Sequence, residues 1–592
     1  MRAWYVILPV GLLSGVAACG GDDSGGETGG LTGGSAGSGG EPDGGGDVST
    51  GGNAGQGGSA GSGTGGTGGA SGSGGTAGKG GTAGSSGTGG AAGAAGSGGS
   101  SGGDAGPSVS VLMHHNNPNR DGVYVDPVIT KAAAATMHVD TTFAMATYMG
   151  PVTAQPLYLA AAGSVPDIVI VVTNQNHAIA FNAATSAKVW DQTLGTPLPR
   201  STLAPLKNGN CGNVDPLGIM GTPVIDASSR TIYLDSMQSV GGTAQHMVYA
   251  LDADTGMPRP GWPVDLNTKA KSGALTFSSL AHNQRGALAL VGGRVLVPFG
   301  GHVGDCGDYR GWVVSISVTD PTQISAFATR ALAGGIWAPS GIATDGSFVY
   351  FATGNTQAAI NQFSAPAMFG DGESVFKLPP DLTRTDATTE YFAPANWSML
   401  DNGDTDLGGT GPLLVDVDGA MPSKLIVQFG KDRKAYLINR DAMGGVSAPL
   451  ASPTVAAGTI INAAVAYKTA AGTYAAFRSN PAGCPAGQSG SMGAVKITPA
   501  SPPTAATVWC GGAQSNKSPA VSMADAAGTD ALVWLIGSDN KLRAYDGDTG
   551  AVVFNGGAAG DTMSASPNFQ TPIIVNGRIF AASNTQVYAF RP

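Results

Sequence analysis

The chain carries few charged residues and gathers no basic patch. Charged side chains make up 12% of the 592 residues, and 40 Asp and Glu outnumber 30 Lys and Arg, for a formal net charge of −10. Because nucleic-acid binding is driven by basic patches that neutralise phosphates, nucleic acid is not an expected partner. The folded part also lacks the serine-hydrolase elbow, the zinc-peptidase helix motif and the P-loop, so no familiar catalytic motif is present.

No apolar run reaches the roughly 20 residues that span a bilayer. The nearest is a run of about fifteen mostly apolar residues after Met1 and Arg2, which ends Val16-Ala17-Ala18-Cys19. One positive charge, a short apolar core and small residues at its end predict a secretory signal over residues 1–18. Small residues before a cysteine resemble the lipobox of bacterial lipoproteins, which implies that Cys19 is acylated; an ordinary signal with a nearby cysteine is the alternative. Gly20 resembles the outer-membrane default of Gram-negative lipoproteins, on the cell surface or the periplasmic face.

Residues 19–106 contain no aromatic side chain and almost no large aliphatic one. Gly, Ser, Ala and Thr dominate, as in "GTGGTGGASGSGGTAGKGGTAG", without the strict triplet period or the proline of collagen. Such a segment buries too little surface to offset the entropy of ordering, so a disordered tether is predicted. For roughly 88 residues its root-mean-square reach is about 50 Å.

Residues 107–592 contain a β-hairpin repeat. An apolar run, a polar Gly/Asn/Asp turn and a second apolar run recur in "VIVVTNQNHAIAF", "LVWLIGSDNKLRAYD" and "RIFAASNTQVYAF". The second-strand element recurs eight times in all, the other copies being "HMVYALDADTG", "GWVVSISVTD", "ESVFKLPPD", "KAYLINRDA" and "GAVKITPA". A period near 50 residues built from short strands predicts an all-β fold, a single β-propeller of four-stranded blades.

The last repeat ends at Pro592 without a fourth strand. The segment 137–147, "MHVDTTFAMAT", precedes the first blade and is expected to supply that strand, closing the ring with strands from both ends of the domain. Eight blades are expected, with seven as the alternative.

Two turns carry a recognisable motif. "ALDADTGMPRPGW" (250–262) and "AYDGDTGAVVF" (544–554) resemble the A-x-D-x-x-T-G-x-x-W repeat of quinoprotein-type propellers, and "FNAATSAKVW" (181–190) matches less well. The terminal aromatic is expected to lock against the neighbouring blade. Longer segments resemble a bacterial group of PQQ-like propeller proteins of uncharacterised function: "HHNNPNRDGVYVDP", "AQPLYLA", "CGNVDPLGIMGTPVID", "HNQRGALALVGGRVLVPFGG", "DYRGWV", "DLGGTGPLL" and "YLINRDAMGG".

The resemblance implies a fold more firmly than an activity. Dehydrogenases of this fold hold PQQ with Ca²⁺ on the propeller axis, often beside an adjacent Cys-Cys disulfide, but this chain has neither a Cys-Cys pair nor a C-x-x-C-H haem site. No cofactor is therefore expected, with PQQ and calcium as the alternative. We expect a monomeric binding or scaffold module for an unknown protein, glycan or small molecule. A PQQ-dependent oxidoreductase, an unassigned hydrolase or lyase, and an envelope-assembly scaffold rank behind it.

Four cysteines remain after Cys19, an even number in a chain predicted to be exported. Four cysteines allow three pairings. Cys211 and Cys306 lie in Gly-rich loops near neighbouring blades, and Cys484 and Cys510 bracket the outer strands of another, which favours those two disulfides. The chain has no C-x-x-C and no Cys–His cluster, so zinc is not expected.

Polar residues of the third blade are candidates for a ligand site at one mouth of the channel. Arg285 would there supply a fixed charge for an anion or a carbonyl group. The favoured explanation is a buried network of Arg, Asp and His that ties long loops together. The candidate residues are His282, Gln284, Arg285, His302, Asp305, Asp308 and Tyr309.

Two further groups of polar residues are given structural expectations. His114 and His115 are adjacent on what looks like an extended segment, so their side chains should point to opposite sides and not share a metal ion. Lys431, Asp432 and Arg433 fall in a hairpin turn and are expected to be solvated there.

Overall fold

In the computed structural model of the chain, residues 109–206, 211–267, 269–356 and 369–592 are described. The predicted signal, Cys19 and the tether lie outside these ranges. Apart from one two-stranded hairpin, the described strands form eight sheets, each of which follows the last along the chain. In blades 2 to 7 the innermost strands of successive sheets contact one another. The fold is thus an eight-bladed β-propeller, as predicted, and each of the eight repeated sequence elements is the third strand of a blade.

Blades 1 to 4 have four antiparallel strands each. From the innermost strand outward, their bounds are Leu157–Leu159, Ile168–Val172, His177–Asn182 and Lys188–Thr193; Val224–Asp226, Thr231–Val240, Thr243–Asp252 and Val264–Asp265; Ala289–Val291, Arg294–Phe299, Trp312–Ser317 and Ile324–Ala328; and Ala343–Thr344, Val349–Ala352, Val375–Leu378 and Tyr391–Pro394.

Blades 5 to 8 complete the ring. Their bounds are Leu413–Asp416, Lys424–Phe429 and Ala435–Asn439; Val465–Thr469, Gly472–Arg478, Met492–Thr498 and Thr504–Gly511; Ala520–Met523, Leu532–Ile536, Leu542–Asp546 and Val552–Asn555; and Ile573–Val575, Arg578–Ala582, Val587–Arg591 and, from the start of the domain, His138–Val139. The last pairing, antiparallel with His138 opposite Arg591, is the predicted closure of the ring.

Blade 5 departs from the expected four strands. After Asn439 the chain places Gly445–Ser447 in parallel pairing with Tyr391–Pro394 of blade 4 instead of beside its own third strand. Gly444 and Gly445 both take positive φ, 95° and 64°, which turns the chain toward the neighbouring blade. The fourth position of blade 5 is covered only by isolated bridges from Ala451 and Thr454.

Little helix is present in the described ranges. Two short α-helices span Lys131–Ala134 and Trp397–Gly403, and 3₁₀ turns span Arg200–Leu206, Ser279–Ala281, Leu407–Gly409 and Ala559–Asp561. A separate two-stranded hairpin joins Lys271–Ser272 to Leu275–Thr276. None of the helices described is long and apolar enough to cross a membrane.

The aromatic ends of the repeats lock neighbouring blades together. Trp190 of blade 1 donates its indole N–H to Ala253 O of blade 2 at 2.9 Å, and Trp509 of blade 6 donates to Gly547 O of blade 7 at 2.8 Å. Gly550 lies against the Trp509 ring at φ 71°, where an added Cβ would come within 2.7 Å of a ring carbon. The T-G of the repeat is therefore required by the tryptophan that packs on it.

Both disulfides match the pairs that the sequence favoured. Cys211–Cys306 joins the loop before blade 2 to a loop of blade 3, with Cα atoms 5.8 Å apart, and Cys484–Cys510 lies within blade 6 at 5.5 Å. The first disulfide therefore links the loops of two successive blades.

An N-terminal segment, residues 111–126, lies inside the ring and pairs with the inner strands of successive blades. Its backbone bonds to the second residue of the innermost strand in blades 1, 2, 4, 5, 6 and 7, the partners being Tyr158, Ile225, Thr344, Leu414, Ala466 and Val521. Val123–Val125 also forms a parallel strand on blade 7, and Asp126 accepts from Gly577 N–H of blade 8. We call this segment the axial plug.

Arg120 extends the axial plug to the remaining blade. Its guanidinium donates to Leu288 O, immediately before the inner strand of blade 3, and to Ile342 O and His114 O, at 2.7, 2.9 and 2.7 Å. Burial lowers the pKa of Arg120 to about 9, so it remains charged at neutral pH. The axial plug thereby contacts all eight blades. In the sequence this segment was noted only for its resemblance to the PQQ-like propeller group, and its position inside the ring was not predicted.

The expected geometry of the two histidines in the plug is wrong. The rings of His114 and His115 stack, with centroids 4.3 Å apart and an interplanar angle of 29°, and both are buried. The segment is not extended there, because His115 takes φ 56° and so turns its side chain back toward its neighbour.

Candidate functional site at the channel mouth

The segments that lead into the inner strands surround the axis beyond the plug. Their side chains bond from blade to blade: Gln155 N–H to Thr222 Oγ1 at 3.0 Å, and Gly221 N–H to Gln284 Oε1 at 3.1 Å. Gln570 of blade 8 donates to Val152 O and Ala154 O of blade 1, which joins the lead-in segments of the last blade and the first. We call the region bounded by these lead-in segments the mouth.

Arg285 is the unusual residue of the mouth. It immediately precedes Gly286, at the lead-in to blade 3, and its guanidinium carbon lies 4.0 Å from the ring centroid of Phe569 and 5.3 Å from that of Trp337. Its Nε and Nη2 atoms are buried and have no hydrogen-bond partner among the described residues. Burial lowers the pKa of Arg285 to about 10, which leaves it charged at neutral pH.

Trp337 is itself held by a buried carboxylate. Its indole N–H donates to Asp406 Oδ2 at 3.0 Å, and Asn355 N–H donates to Asp406 Oδ1 at 3.2 Å. Lys431 Nζ lies 3.0 Å from Asp406 and 2.8 Å from Asp404, and 5.3 Å from the Trp337 centroid. Burial raises the pKa of Asp406, and the charge of Lys431 opposes that rise.

Two more carboxyl groups lie behind Asp406. Glu373 accepts from Leu407 N–H, and Asp401 accepts from Thr356 N–H at 2.9 Å and Thr356 Oγ1 at 2.8 Å. Burial, followed by the charge of Asp406, raises the pKa of Glu373 well above its usual range, and burial raises that of Asp401 to about 6. Burial thus favours the protonated form of Glu373.

Three residues of this region have a left-handed backbone conformation. Phe569 takes φ 67°, Glu373 51° and Asp404 49°. For a bulky aromatic residue such as Phe569 the left-handed region is unfavourable by about 1–3 kcal/mol, and such strain clusters at functional sites.

The predicted site residues divide into two groups. His282 donates from Nδ1 to Ser278 O and accepts from Arg310 N–H, a ring nitrogen of His302 lies 3.1 Å from Leu280 O, and Tyr309 donates to Asp305. With Gln284, which bonds to Gly221 and Gly286, they tie loops together, and Asp308 is exposed. Arg285 bonds to none of them and faces blades 4 and 8.

The expectation of a solvated turn is wrong for Lys431. Residues 431–433 do lie in the turn before Ala435–Asn439, but Lys431 packs into the mouth against Asp404, Asp406 and Trp337. Sequence reasoning missed Trp337, Asp406 and Phe569 altogether. Their shared signal is position, because each lies within a few residues before the inner strand of its blade.

The sequence matches no protein-family model and no curated protein. Among solved structures, the chain is similar to the quinohemoprotein alcohol dehydrogenase of Comamonas testosteroni, at 13% identity and a TM-score of 0.54 over 81% of this chain and 80% of that one. A europium-containing methanol dehydrogenase gives 13% and 0.54 over 82% and 98%, and BamB from Moraxella catarrhalis gives 11% and 0.40 over 77% and 98%. The similarities to the two dehydrogenases show the quinoprotein-type propeller fold.

The residues of the mouth do not fit PQQ with calcium as they stand. A flat quinone needs a free aromatic face, but Arg285 and Lys431 both lie over the Trp337 ring at 5.3 Å. Of the three carboxyl groups, Glu373 and Asp401 are engaged by backbone N–H groups and Asp406 by Trp337 and Lys431. Within the described ranges, no group of His, Cys, Asp and Glu is arranged to hold a metal ion.

Proposed function

We propose that this protein is a lipid-anchored binding module of the cell envelope whose propeller takes a small ligand at the mouth. The observation that carries the proposal is Arg285, a charged group clamped between two aromatic rings with two buried N–H groups that no described residue accepts. An unsatisfied buried donor costs about 1–3 kcal/mol, more when charged. The fold maintains that cost where the guanidinium carbon lies 4.0 Å from the ring centroid of the strained Phe569.

The location favours a binding role. The axial plug contacts every blade from inside, so ligand access along the axis is left to the mouth. Propeller ligands are commonly bound where loops from several blades converge, and Arg285, Trp337 and Phe569 come from blades 3, 4 and 8. Trp337 is fixed by its bond to Asp406, which makes it a preorganised wall.

A ligand screen with a mouth variant tests the binding role. We expect at least one compound among organic acids, sugars, amino acids and nucleotides to raise the melting temperature, since a ligand at 100 times its Kd adds about 2.7 kcal/mol to the native state. The rise should vanish in Trp337→Leu, which loses the bond to Asp406. A screen without any rise, or one in which Trp337→Leu retains it, contradicts binding at the mouth. PQQ with Ca²⁺ belongs in the screen, and we expect no rise from it.

A cysteine substitution tests the anchor. Cys19→Ser should move the protein from the membrane fraction to the soluble fraction of fractionated cells, because the proposed lipid supplies its membrane affinity. Lys79→Ser in the predicted tether is the control and should remain in the membrane fraction. A Cys19→Ser protein that still sediments with membranes contradicts the lipoprotein proposal.

A further inference from the structure

We infer that the protein has a second binding site, at the end of the propeller opposite the mouth, which takes a neutral oligosaccharide. The site is a surface hollow of about 500 Å³ between blades 4 and 5, and ligand pockets usually measure about 300–1,000 Å³. We call it the exit hollow, because it lies where the inner strands of these two blades end, whereas the mouth lies where they begin. Together with Leu414, six polar side chains line it: Asn119, Asp345, Ser347, Asp416, Lys424 and Arg440.

Arg440 supplies the exit hollow with hydrogen-bond donors that the protein does not use. The residue is 8% exposed, and its Nη2 donates to Asp416 Oδ1. Its Nε and Nη1 atoms have no hydrogen-bond partner among the described residues, yet they keep contact with solvent, unlike the Nε and Nη2 atoms of Arg285. The backbone fixes Arg440 on both sides, because its N–H donates to Lys424 O at 3.1 Å and its carbonyl accepts from Lys377 Nζ at 2.9 Å. The free donors are therefore preorganised for a ligand.

The charges of the exit hollow are balanced, which selects a neutral ligand. Its lining contains two carboxylates, Asp345 and Asp416, and two cations, Lys424 and Arg440. Asp416 already compensates the charge of Arg440, and Asp345 accepts from two backbone N–H groups and from the hydroxyl of Tyr350. The Lys424 side chain is 54% exposed, so it attracts an anion only weakly. An anion would have to displace Asp416 from Arg440, whereas a neutral ligand leaves that pair intact.

The pair of Arg440 and Asp416 favours a sugar over a peptide. Free N–H groups of Arg440 lie beside a carboxylate that is 65% exposed and accepts from Arg440 through one oxygen. A hydroxyl group both donates and accepts, so two adjacent hydroxyl groups of a sugar can bridge this pair. Peptides are held by strand pairing or by apolar pockets for their side chains, but Leu414 is the one apolar residue in the described lining.

A smaller hollow adjoins the exit hollow along the axial plug. It has a volume of about 220 Å³ and shares Asn119, Leu414 and Asp416 with the exit hollow. Its lining is more apolar and includes Val123 and Met523, against which the C–H groups of a sugar ring can be removed from water. Two adjoining hollows fit successive units of a chain. We therefore expect affinity to rise from a monosaccharide to a trisaccharide.

Calorimetric titration of the full-length protein tests the exit hollow with maltotriose, cellotriose and triacetylchitotriose. We expect at least one of them to bind. Arg440→Met should weaken that binding about 10- to 100-fold, because hydrogen bonds from a charged donor are lost. Asp416→Ala should also weaken it, and this substitution at an exposed side chain leaves the core untouched. Its melting temperature shows whether the loss reflects the site or the fold.

Arg543→Met is the matched control. The Arg543 side chain is 12% exposed and paired with Asp539, much as Arg440 is 9% exposed and paired with Asp416. Arg543 lies outside both hollows, and its Nε is bonded to Asn555. We expect Arg543→Met to bind the trisaccharide as the wild type does.

Three results would overturn the inference. The first is that none of the three trisaccharides binds, and the second is that Arg440→Met binds them as tightly as the wild type. The third is tighter binding of trigalacturonic acid, which would indicate an anion site, or of a blocked serine-glycine peptide, which would indicate a peptide site.

The outcomes also separate the exit hollow from the mouth. Trisaccharide binding that persists in Trp337→Leu and is lost in Arg440→Met belongs to the exit hollow and not to the mouth. A ligand of the mouth should show the opposite pattern, because Arg440 and Trp337 belong to opposite ends of the propeller. Failure of either site therefore leaves the other proposal standing.

Discussion

Arg120→Met is expected to lower the free energy of unfolding by about 3–5 kcal/mol, because three buried carbonyl oxygens lose their donor at once. Arg120 is 1% exposed and bonds to His114 O, Leu288 O and Ile342 O at 2.7–2.9 Å. Methionine fills much of the same volume but donates nothing. Urea denaturation of the purified protein, followed by tryptophan fluorescence, measures the change.

The comparison with Arg285→Met gives this prediction its control. Both variants exchange a charged side chain on the axis for methionine, but only Arg120 is bonded to backbone carbonyls of the protein. We therefore expect a large loss for Arg120→Met and none for Arg285→Met. Similar losses in the two variants would mean that the carbonyl bonds of the axial plug contribute little to stability.

Acidification from pH 7.5 to 5 should destabilise the protein by several kcal/mol through its buried histidines. Burial lowers the pKa of His115 and of His302 to about 4 and that of His282 to about 3. Their folded pKa values lie below the unfolded value of about 6.5. The stability that these neutral histidines contribute is thus complete above pH 6.5 and is lost as the pH falls toward 4. Over that range the histidines bind protons in the unfolded chain but remain neutral in the folded chain. Each histidine contributes a loss of about 2 kcal/mol at pH 5.

Two kinds of group oppose this loss. The pKa of Asp401 is raised to about 6 and that of Glu373 is raised well above its usual range, so each favours the folded state as the pH falls. Asp235 Oδ2 lies 2.6 Å from His246 Nδ1 and helps raise the pKa of His246, although burial lowers it. His246 therefore also favours the folded state as the pH falls. For Asp401 the gain by pH 5 is about 1.4 kcal/mol, smaller than the combined loss from three histidines.

A single histidine variant isolates the effect. His302→Gln should reduce the difference in unfolding free energy between pH 7.5 and pH 5 by about 2 kcal/mol. His138→Gln, at an exposed position, should leave the difference unchanged. Equal pH dependence in wild type and His302→Gln would contradict the neutral buried state of His302.

The propeller itself was predictable because its signals are local and periodic. Two apolar runs separated by a Gly/Asn/Asp turn indicate each hairpin within about 25 residues, and the number of such repeats predicts the blade count. The closing strand at His138–Val139 followed from the missing fourth strand of the last repeat, since an unpaired edge must be covered. The contact of Trp190 with blade 2 followed from a motif that lies within one turn and one strand.

The axial plug and the mouth were decided by tertiary structure. The plug shows no apolar periodicity from which its position could be predicted. It is attached by backbone hydrogen bonds to strands from Tyr158 to Val521, and backbone N–H and C=O groups are present in any sequence. The strand Gly445–Ser447, which follows blade 5 in the chain, likewise pairs with Tyr391–Pro394 of blade 4, about 50 residues earlier. Arg285 and Phe569 stack because the ring brings the lead-in segments of blades 3 and 8 to one axis. Sequence alone established the repeating strands and their order, whereas the partners of the side chains on the axis depend on closure of the ring, which joins residues that no local pattern relates.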